Sequence, residues 1–441
     1  ILGLLLDRFP NLKQIHLLLR AGGNLTSRER FQVQVLKSPA LVPVVEKHGL
    51  EWIERKVTVW PGDIVQTSCG LSSKNLKKLA GRVDLIINCA ALVDFFPPLD
   101  DSFRSNVDGV ENLILLAKQF SSKLLHVSTC YVNGTRQGLV SEEPLDPAQL
   151  MVGSNGSGDG PYQVDQEVET LSRLIQSVEH RSHAPWRRRL FALAAWSHRH
   201  GRDNGQESDT ALAAERLRQE WAEQRQVAAG MHWSHRRGWN DTYTFTKAMG
   251  EQIIMRHRGE IPTVIFRPSI IESAMDSPEP GWLDGLRMLD PLIVAYGRKQ
   301  LSDFPGDPEA IVDIVPVDMV VNALLATIPG VHQQGGYIVH QLATSTENPL
   351  SARVFCDLVQ DYFHGEPLIG RGGPSKMLPD ITFPSTNRFL RRLRFRYLLP
   401  LRGLELLGWL GSATPWGRRL RRTSRSRRTG VERLFHWVRI Y

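Results

Sequence analysis

The stretch Lys123-Leu124-Leu125-His126-Val127-Ser128-Thr129-Cys130-Tyr131-Val132-Asn133-Gly134 decides how the rest of the chain is read. A short, largely apolar run leads into small and polar residues, the form of a strand buried on both faces that ends in a loop. Upstream, Val83-Asp84-Leu85-Ile86-Ile87-Asn88-Cys89-Ala90-Ala91 repeats that form, and residues 103–120 between the two read as a helix. Working outward, strands are expected at 14–19 and 57–60, with helices at 1–9 (closed by Pro10), 26–37 and 73–80. Downstream, helix 242–258 precedes a strand at 263–269. A strand at 311–318, helix 319–327, a strand at 336–340 and helix 349–363 follow. Strands alternating with helices predict an α/β fold, a doubly wound parallel sheet covered on both faces.

Composition bounds the class. The 441 residues suffice for more than one unit, and 41% hydrophobic and 23% charged content is ordinary for a globular protein. No apolar run is long enough to span a bilayer and no secretory signal opens the sequence, so a cytoplasmic protein is expected. The four cysteines have no CxxC spacing, which argues against a zinc site and a disulfide framework; no metal is expected. The net charge of +8 is concentrated toward the C-terminus, where 418–428 is dense in arginine. Leu398 to Leu410 beside arginine-rich flanks suggests peripheral contact with an anionic membrane, with a solvated tail as the plain alternative. Nucleic-acid binding lacks an aromatic or base-reading motif and is not expected.

Ligands of such sheets lie beyond the carboxyl ends of the strands, which directs attention to Arg20, Asp63, Asn88 to Ala91, and Ser128-Thr129. Further on, Thr242-Tyr243-Thr244-Phe245-Thr246-Lys247 holds Tyr-x-x-x-Lys. On a helix these two side chains share a face. A free phenol has a pKa of about 10, and a nearby cation lowers it, giving a proton donor or acceptor usable near neutrality.

Residues 140–240 break the alternation. Gly153-Ser154-Asn155-Gly156-Ser157-Gly158-Asp159-Gly160 reads as a flexible loop, since it has neither the Lys-Ser/Thr of a phosphate cradle nor a strand before it. Segments 162–178 and 209–228 look helical. The basic, histidine-containing stretch 180–202 between them is expected to be solvated or partly ordered surface.

Six segments occur in order: Asn88-Cys89-Ala90-Ala91, Asn106-Val107-Asp108-Gly109, His126 to Gly134, Tyr243 to Lys247, Phe266-Arg267-Pro268-Ser269, and Asp313-Ile314-Val315-Pro316-Val317-Asp318. Together they resemble the extended short-chain dehydrogenase/reductases. More narrowly they resemble the alcohol-forming fatty acyl-CoA reductases with a male-sterility-type domain. The resemblance implies a Rossmann-type sheet with a smaller, mostly helical substrate and C-terminal region. It divides the chain into a nucleotide-binding part (1–139), an insertion (140–240), the Tyr-Lys helix with the remaining sheet (241–345), and a helical end (346–441). The family opens with Thr-Gly-x-x-Gly-x-x-Gly, of which only the last glycine, Gly3, is present. The sheet is therefore expected to lack its central strand, and the chain is expected to be a fragment or, as written, a poor binder of dinucleotide. The spacing of 114 positions from Thr129 to Tyr243 matches the longer insertion of the acyl-CoA reductases.

The resemblance also implies roles. Thr129, with Ser128 before it, would hydrogen-bond the substrate carbonyl, Tyr243 would protonate it, and Lys247 would lower the phenol's pKa and hold the ribose. Arg20, with Arg28 as a second candidate, suits the 2′-phosphate of NADPH rather than NADH. Gly3, Asp63, Ile64, Asn88, Ala90, Asn106 and Pro268 would line the cofactor. The plain readings are a strand-end hydroxyl at Thr129, a turn aspartate at Asp63 and a structural amide at Asn106. Trp233, Trp239 and Trp282 are core aromatics or, failing that, walls of an acyl channel. The substrate would be a long-chain acyl-CoA, reduced through an aldehyde to an alcohol. The alternatives are a reductase stopping at aldehyde, a nucleotide-sugar epimerase or related oxidoreductase, and a non-catalytic binding protein without its cofactor loop.

Overall fold

A computed structural model describes the chain except residues 95, 147–161, 200–206, 287, 334–335, 369–377, 411–413, 415, 418, 421, 425–426, 429–430 and 432–441. The glycine-rich loop at 153–160 and part of the arginine run at 418–428 lie outside the described residues. The chain forms two compact units: Ile1–Val168 with Gly230–Leu286 and Asp313–Thr346, and Glu169–Ala229 with Arg287–Val312 and Glu347–Tyr441.

The first unit holds the strands, all in parallel pairs. They are β1 (Ile15–Leu19), β2 (Val57–Pro61), β3 (Leu85–Asn88), β4 (Lys123–Val127), β5 (Thr263–Pro268), β6 (Ile270–Glu272), β7 (Ile314–Pro316) and β8 (Tyr337–Leu342). β3, β4, β5 and β8 form one sheet in that order, β1 and β2 a second, and β6 and β7 a third. Among the described residues the strands therefore fall into three separately paired groups. Strand alternation distributes the core. Leu85 and Ile87 pack with Val264, Phe266 and Leu324 on one face, while Ile86 packs with Leu79, Leu113 and Phe120 on the other. Leu18 and Trp60 join that second cluster, whereas Ile15, Leu17 and Leu19 turn to Leu6, Phe31 and Ile53. Both faces are therefore covered, as a parallel sheet requires.

Local chemistry sets the helix ends. Thr26 and Glu29 form a reciprocal capping box that starts helix Ser27–Arg30. Asp241 caps the Tyr-Lys helix, Thr242–His257, by accepting from the Thr244 N–H at 2.7 Å. Two helices at Val42–His48 and Leu50–Lys56 are absent from the sequence expectation; Gly49, at φ +80°, separates them. The Asp-x-Val-Pro-Val-Asp motif is structural in its visible bonds. Asp313 accepts from the Thr344 and Ser345 N–H groups, and Asp318 from those of Met275, Asp276 and Ser277.

The second unit is helical. The stretch expected to be solvated or partly ordered surface is largely exposed and carries a helix, Pro185–Arg199, in which Arg187 lies over the rings of Trp186 and Trp221. Within the end expected to be helical, helices Thr386–Leu393 and Leu399–Leu410 are joined by a π-helical turn. Among the described residues no helix is long and apolar enough to cross a membrane, and no group of three or more His, Cys, Asp or Glu side chains stands close enough to hold a metal ion.

Candidate active site

The carboxyl end of β4 and the Tyr-Lys helix meet through Lys247. Its Nζ donates to the Val127 carbonyl at 2.6 Å, two residues before Thr129, and lies 3.2 Å from His126 Nε2. A Cβ on Gly250 of the same helix would stand 2.6 Å from the Asn106 carbonyl, so glycine there lets the helix lie against the turn that carries Asn106. One turn beyond Lys247, Glu251 forms a buried fork with Arg267 at the end of β5, Nη2 to Oε2 at 2.7 Å. The Tyr-Lys helix is therefore fastened to β4 and β5 at the strand ends.

Thr129 and Ser128 are both buried. Thr129 Oγ1 accepts from the Tyr131 N–H at 3.3 Å, the strand-end bond anticipated as its plain reading, and its own O–H remains available to donate. Ser128 Oγ is buried without a hydrogen-bond partner. Tyr243 is partly exposed. Burial raises its pKa first, and the Asp241 carboxylate adds to the rise. The net shift is upward, against the lowering expected from Lys247, whose amine bonds the Val127 carbonyl and lies beside His126. Burial also lowers the Lys247 pKa to about 8, opposed by Glu251 and Cys89. Burial lifts Asp241 to about 6, against the N–H groups it accepts from.

Asn88, opposite His126 in the β3–β4 register, places Nδ2 2.9 Å from His126 Nδ1 and accepts from the Ala90 N–H. Cys89 and Ala90 are exposed beyond the strand end. Asn106 is a structural tie in its visible bonds: Oδ1 accepts from the Leu92 N–H, and Nδ2 donates to Thr246 Oγ1 at 3.0 Å. At the end of β1, Arg20 is exposed and its carbonyl accepts from Arg30 Nη1 at 2.6 Å. Arg30, which also lies against Gly22, is the guanidinium that shapes this loop, while Arg28 is exposed. Asp63 makes a turn bond to the Val65 N–H, and Ile64 sits in the core against Gly109. Gly3 packs a helix against the Ala40 carbonyl, and Pro268 is buried at the end of β5. Trp239 is core, its Nε1 donating to the Val132 carbonyl; Trp233 donates to Glu167.

His126 and Asp241 went unassigned by the sequence reading. His126 stood inside a quoted motif, and Asp241 precedes a helix in the manner of a cap, but neither signal says which group the side chain faces.

A parallel sheet with Tyr-x-x-x-Lys set beside a strand-end Ser-Thr defines an oxidoreductase of the extended short-chain dehydrogenase/reductase type. Residues 1–324 match the NAD-binding family model described as male sterility protein. The chain is 31% identical over 408 residues to "Probable fatty acyl-CoA reductase 4" of Arabidopsis thaliana, covering 90% of this chain and 75% of that protein. It is 30% identical over 407 residues to the alcohol-forming fatty acyl-CoA reductase of Simmondsia chinensis, covering 90% and 74%. The reductase domain of a nonribosomal peptide synthetase from Mycobacterium tuberculosis shares the fold, with a TM-score of 0.51 at 17% identity over 95% of this chain and 75% of that one. The chain belongs to the male sterility protein family, whose matched relatives are fatty acyl-CoA reductases.

Proposed function

We propose that this protein reduces long-chain acyl-CoA with NADPH, through an aldehyde to the primary alcohol. The observation that carries this reading is the contact of Lys247 with Val127, which joins the Tyr-Lys helix to the Ser128-Thr129 strand end. The residues present suit the dinucleotide. Exposed Arg20, beside Arg30, offers a guanidinium to a 2′-phosphate, with Arg28 nearby. Ala90 and its neighbours leave the backbone open at the end of β3, Asp63 marks the end of β2, and Lys247 would hold the ribose. Bound there, the nicotinamide supplies hydride.

The chain's own residues handle the oxygen. The Thr129 hydroxyl donates to the thioester carbonyl as negative charge develops on it. Tyr243, whose raised pKa keeps it protonated, gives its proton to that oxygen, and a hemithioacetal forms. The proton of that hydroxyl passes to sulfur as the carbon–sulfur bond breaks, releasing aldehyde and CoA thiol. A second hydride at the same carbon and a second proton from Tyr243 give the alcohol.

Membrane contact fits the second unit. Phe395, Tyr397, Leu399, Leu406 and Leu407 are exposed next to Arg391, Arg392, Arg394 and Arg396. Oxidation of NADPH by the chain with palmitoyl-CoA, compared with nucleotide sugars, and chromatography of the lipid product test the reading. Hexadecanol is expected; aldehyde alone would place the end point one step earlier, and turnover of the sugar alone would overturn it.

A further inference from the structure

Hydrogen-bond direction at His126 carries information about Lys247. The Ala90 N–H donates to Asn88 Oδ1, so Asn88 presents Nδ2 to His126 Nδ1 at 2.9 Å. An amide nitrogen only donates, so Nδ1 holds the lone pair. His126 is fully buried, and burial, with Lys247 second, holds its pKa well below the ordinary range; the ring is neutral. A neutral imidazole has one N–H, which therefore lies on Nε2, facing Lys247 Nζ at 3.2 Å. An ammonium has donors and no acceptor, whereas an amine has a lone pair for that N–H. The remaining groups acting on Lys247 are Glu251 on its own helix and Cys89 at the end of β3, both favouring its charge; Tyr243 precedes it by four residues on that helix.

We propose that His126, fixed in its Nε2–H tautomer by Asn88, is a positioning residue that disfavours the ammonium form of Lys247 and so makes it a ready proton donor. This rests on the reading of Tyr243 as the acid. Each reduction leaves Tyr243 as phenolate. Lys247 takes a proton from solvent, in the charged form faces a donor and sheds that proton, and solvent carries it to the phenolate. One proton enters for each one that reaches substrate.

Nitrogen-15 NMR of the His126 ring and carbon-13 NMR of Lys247 Cε across pH, on the full chain without substrate, test this. Expected are a protonated Nε2, an unprotonated Nδ1, and a Lys247 midpoint below that of free lysine. In Asn88→Asp the carboxylate only accepts, so the tautomer reverses. The Lys247 midpoint then rises by about one pH unit or more, tenfold in proton affinity. Asn88→Leu, which adds no charge, frees the ring and gives a smaller rise. The alkaline limb of NADPH oxidation with palmitoyl-CoA moves with the midpoint. A wild-type ring protonated on Nδ1, or a limb unmoved when the tautomer reverses, overturns the proposal. The NMR readouts need no turnover: a chain with the expected tautomer and midpoint that is inert toward acyl-CoA would overturn the proposed function and leave the hold of His126 on Lys247 standing.

Discussion

At the scale of single residues, Tyr243 and Lys247 do different work although one helical turn joins them. The phenol is kept protonated by burial and by Asp241, while the amine is drawn to β4. Tyr243→Phe removes the proton donor without altering the ring's packing, so turnover of acyl-CoA should fall by about 10²- to 10⁴-fold while the melting temperature stays near that of wild type, read by NADPH oxidation and thermal scanning. Arg20→Glu should raise KM for NADPH and lower that for NADH, because a carboxylate repels a 2′-phosphate and accepts from a ribose hydroxyl. An unchanged NADPH/NADH ratio would remove Arg20 from the cofactor site. The Tyr-Lys pair was legible because both residues lie on one helix at a spacing that chemistry recognises. Their surroundings were not: His126, Val127 and Asn88 come from other strands, and only the register of β3 with β4 places them there.

At the scale of elements, the Tyr-Lys helix is held by close approach as much as by polar bonds. Gly250 lets it ride against the turn that carries Asn106, whose side chain then reaches Thr246. Gly250→Ala should gain up to about 1 kcal/mol in helix propensity. It also forces a Cβ to within 2.6 Å of a backbone carbonyl, which cannot swing aside as a flexible side chain would. The clash should win, with a net loss of about 1–3 kcal/mol in chemical denaturation and a matching loss of activity through displaced Tyr243. The strands and the helices that cover them were readable from apolar runs and turn residues. The pair of helices at Val42–His48 and Leu50–Lys56 was not, because Pro43 and Gly49 cut the pattern into pieces too short to show a period.

At the scale of the whole molecule, the parallel pairing of the strands was legible from their apolar runs, and the cohesion of the first unit rests partly on carboxylates that the family motif did not explain. Asp318 is buried, which pulls its pKa upward, but the N–H groups of Met275, Asp276 and Ser277 prevail and hold it below 3.8. Asp313 behaves alike, with burial outweighed by Ser345 and Thr344. A carboxylate whose folded pKa is depressed contributes stability that is fully present above its unfolded value and is lost as pH falls through the folded one. The contribution of these two carboxylates to the melting temperature should therefore hold steady from neutrality down to about pH 5 and then fall progressively through and below the ordinary carboxylate range. Asp318→Asn keeps one acceptor oxygen but cannot receive from all three N–H groups as a charged fork does. It should melt lower than wild type at pH 7, with the gap narrowing as acid neutralises the wild-type carboxylate. A gap that stayed constant from pH 7 to about pH 3 would mean that the charge of Asp318 contributes nothing and that the loop is held by packing alone.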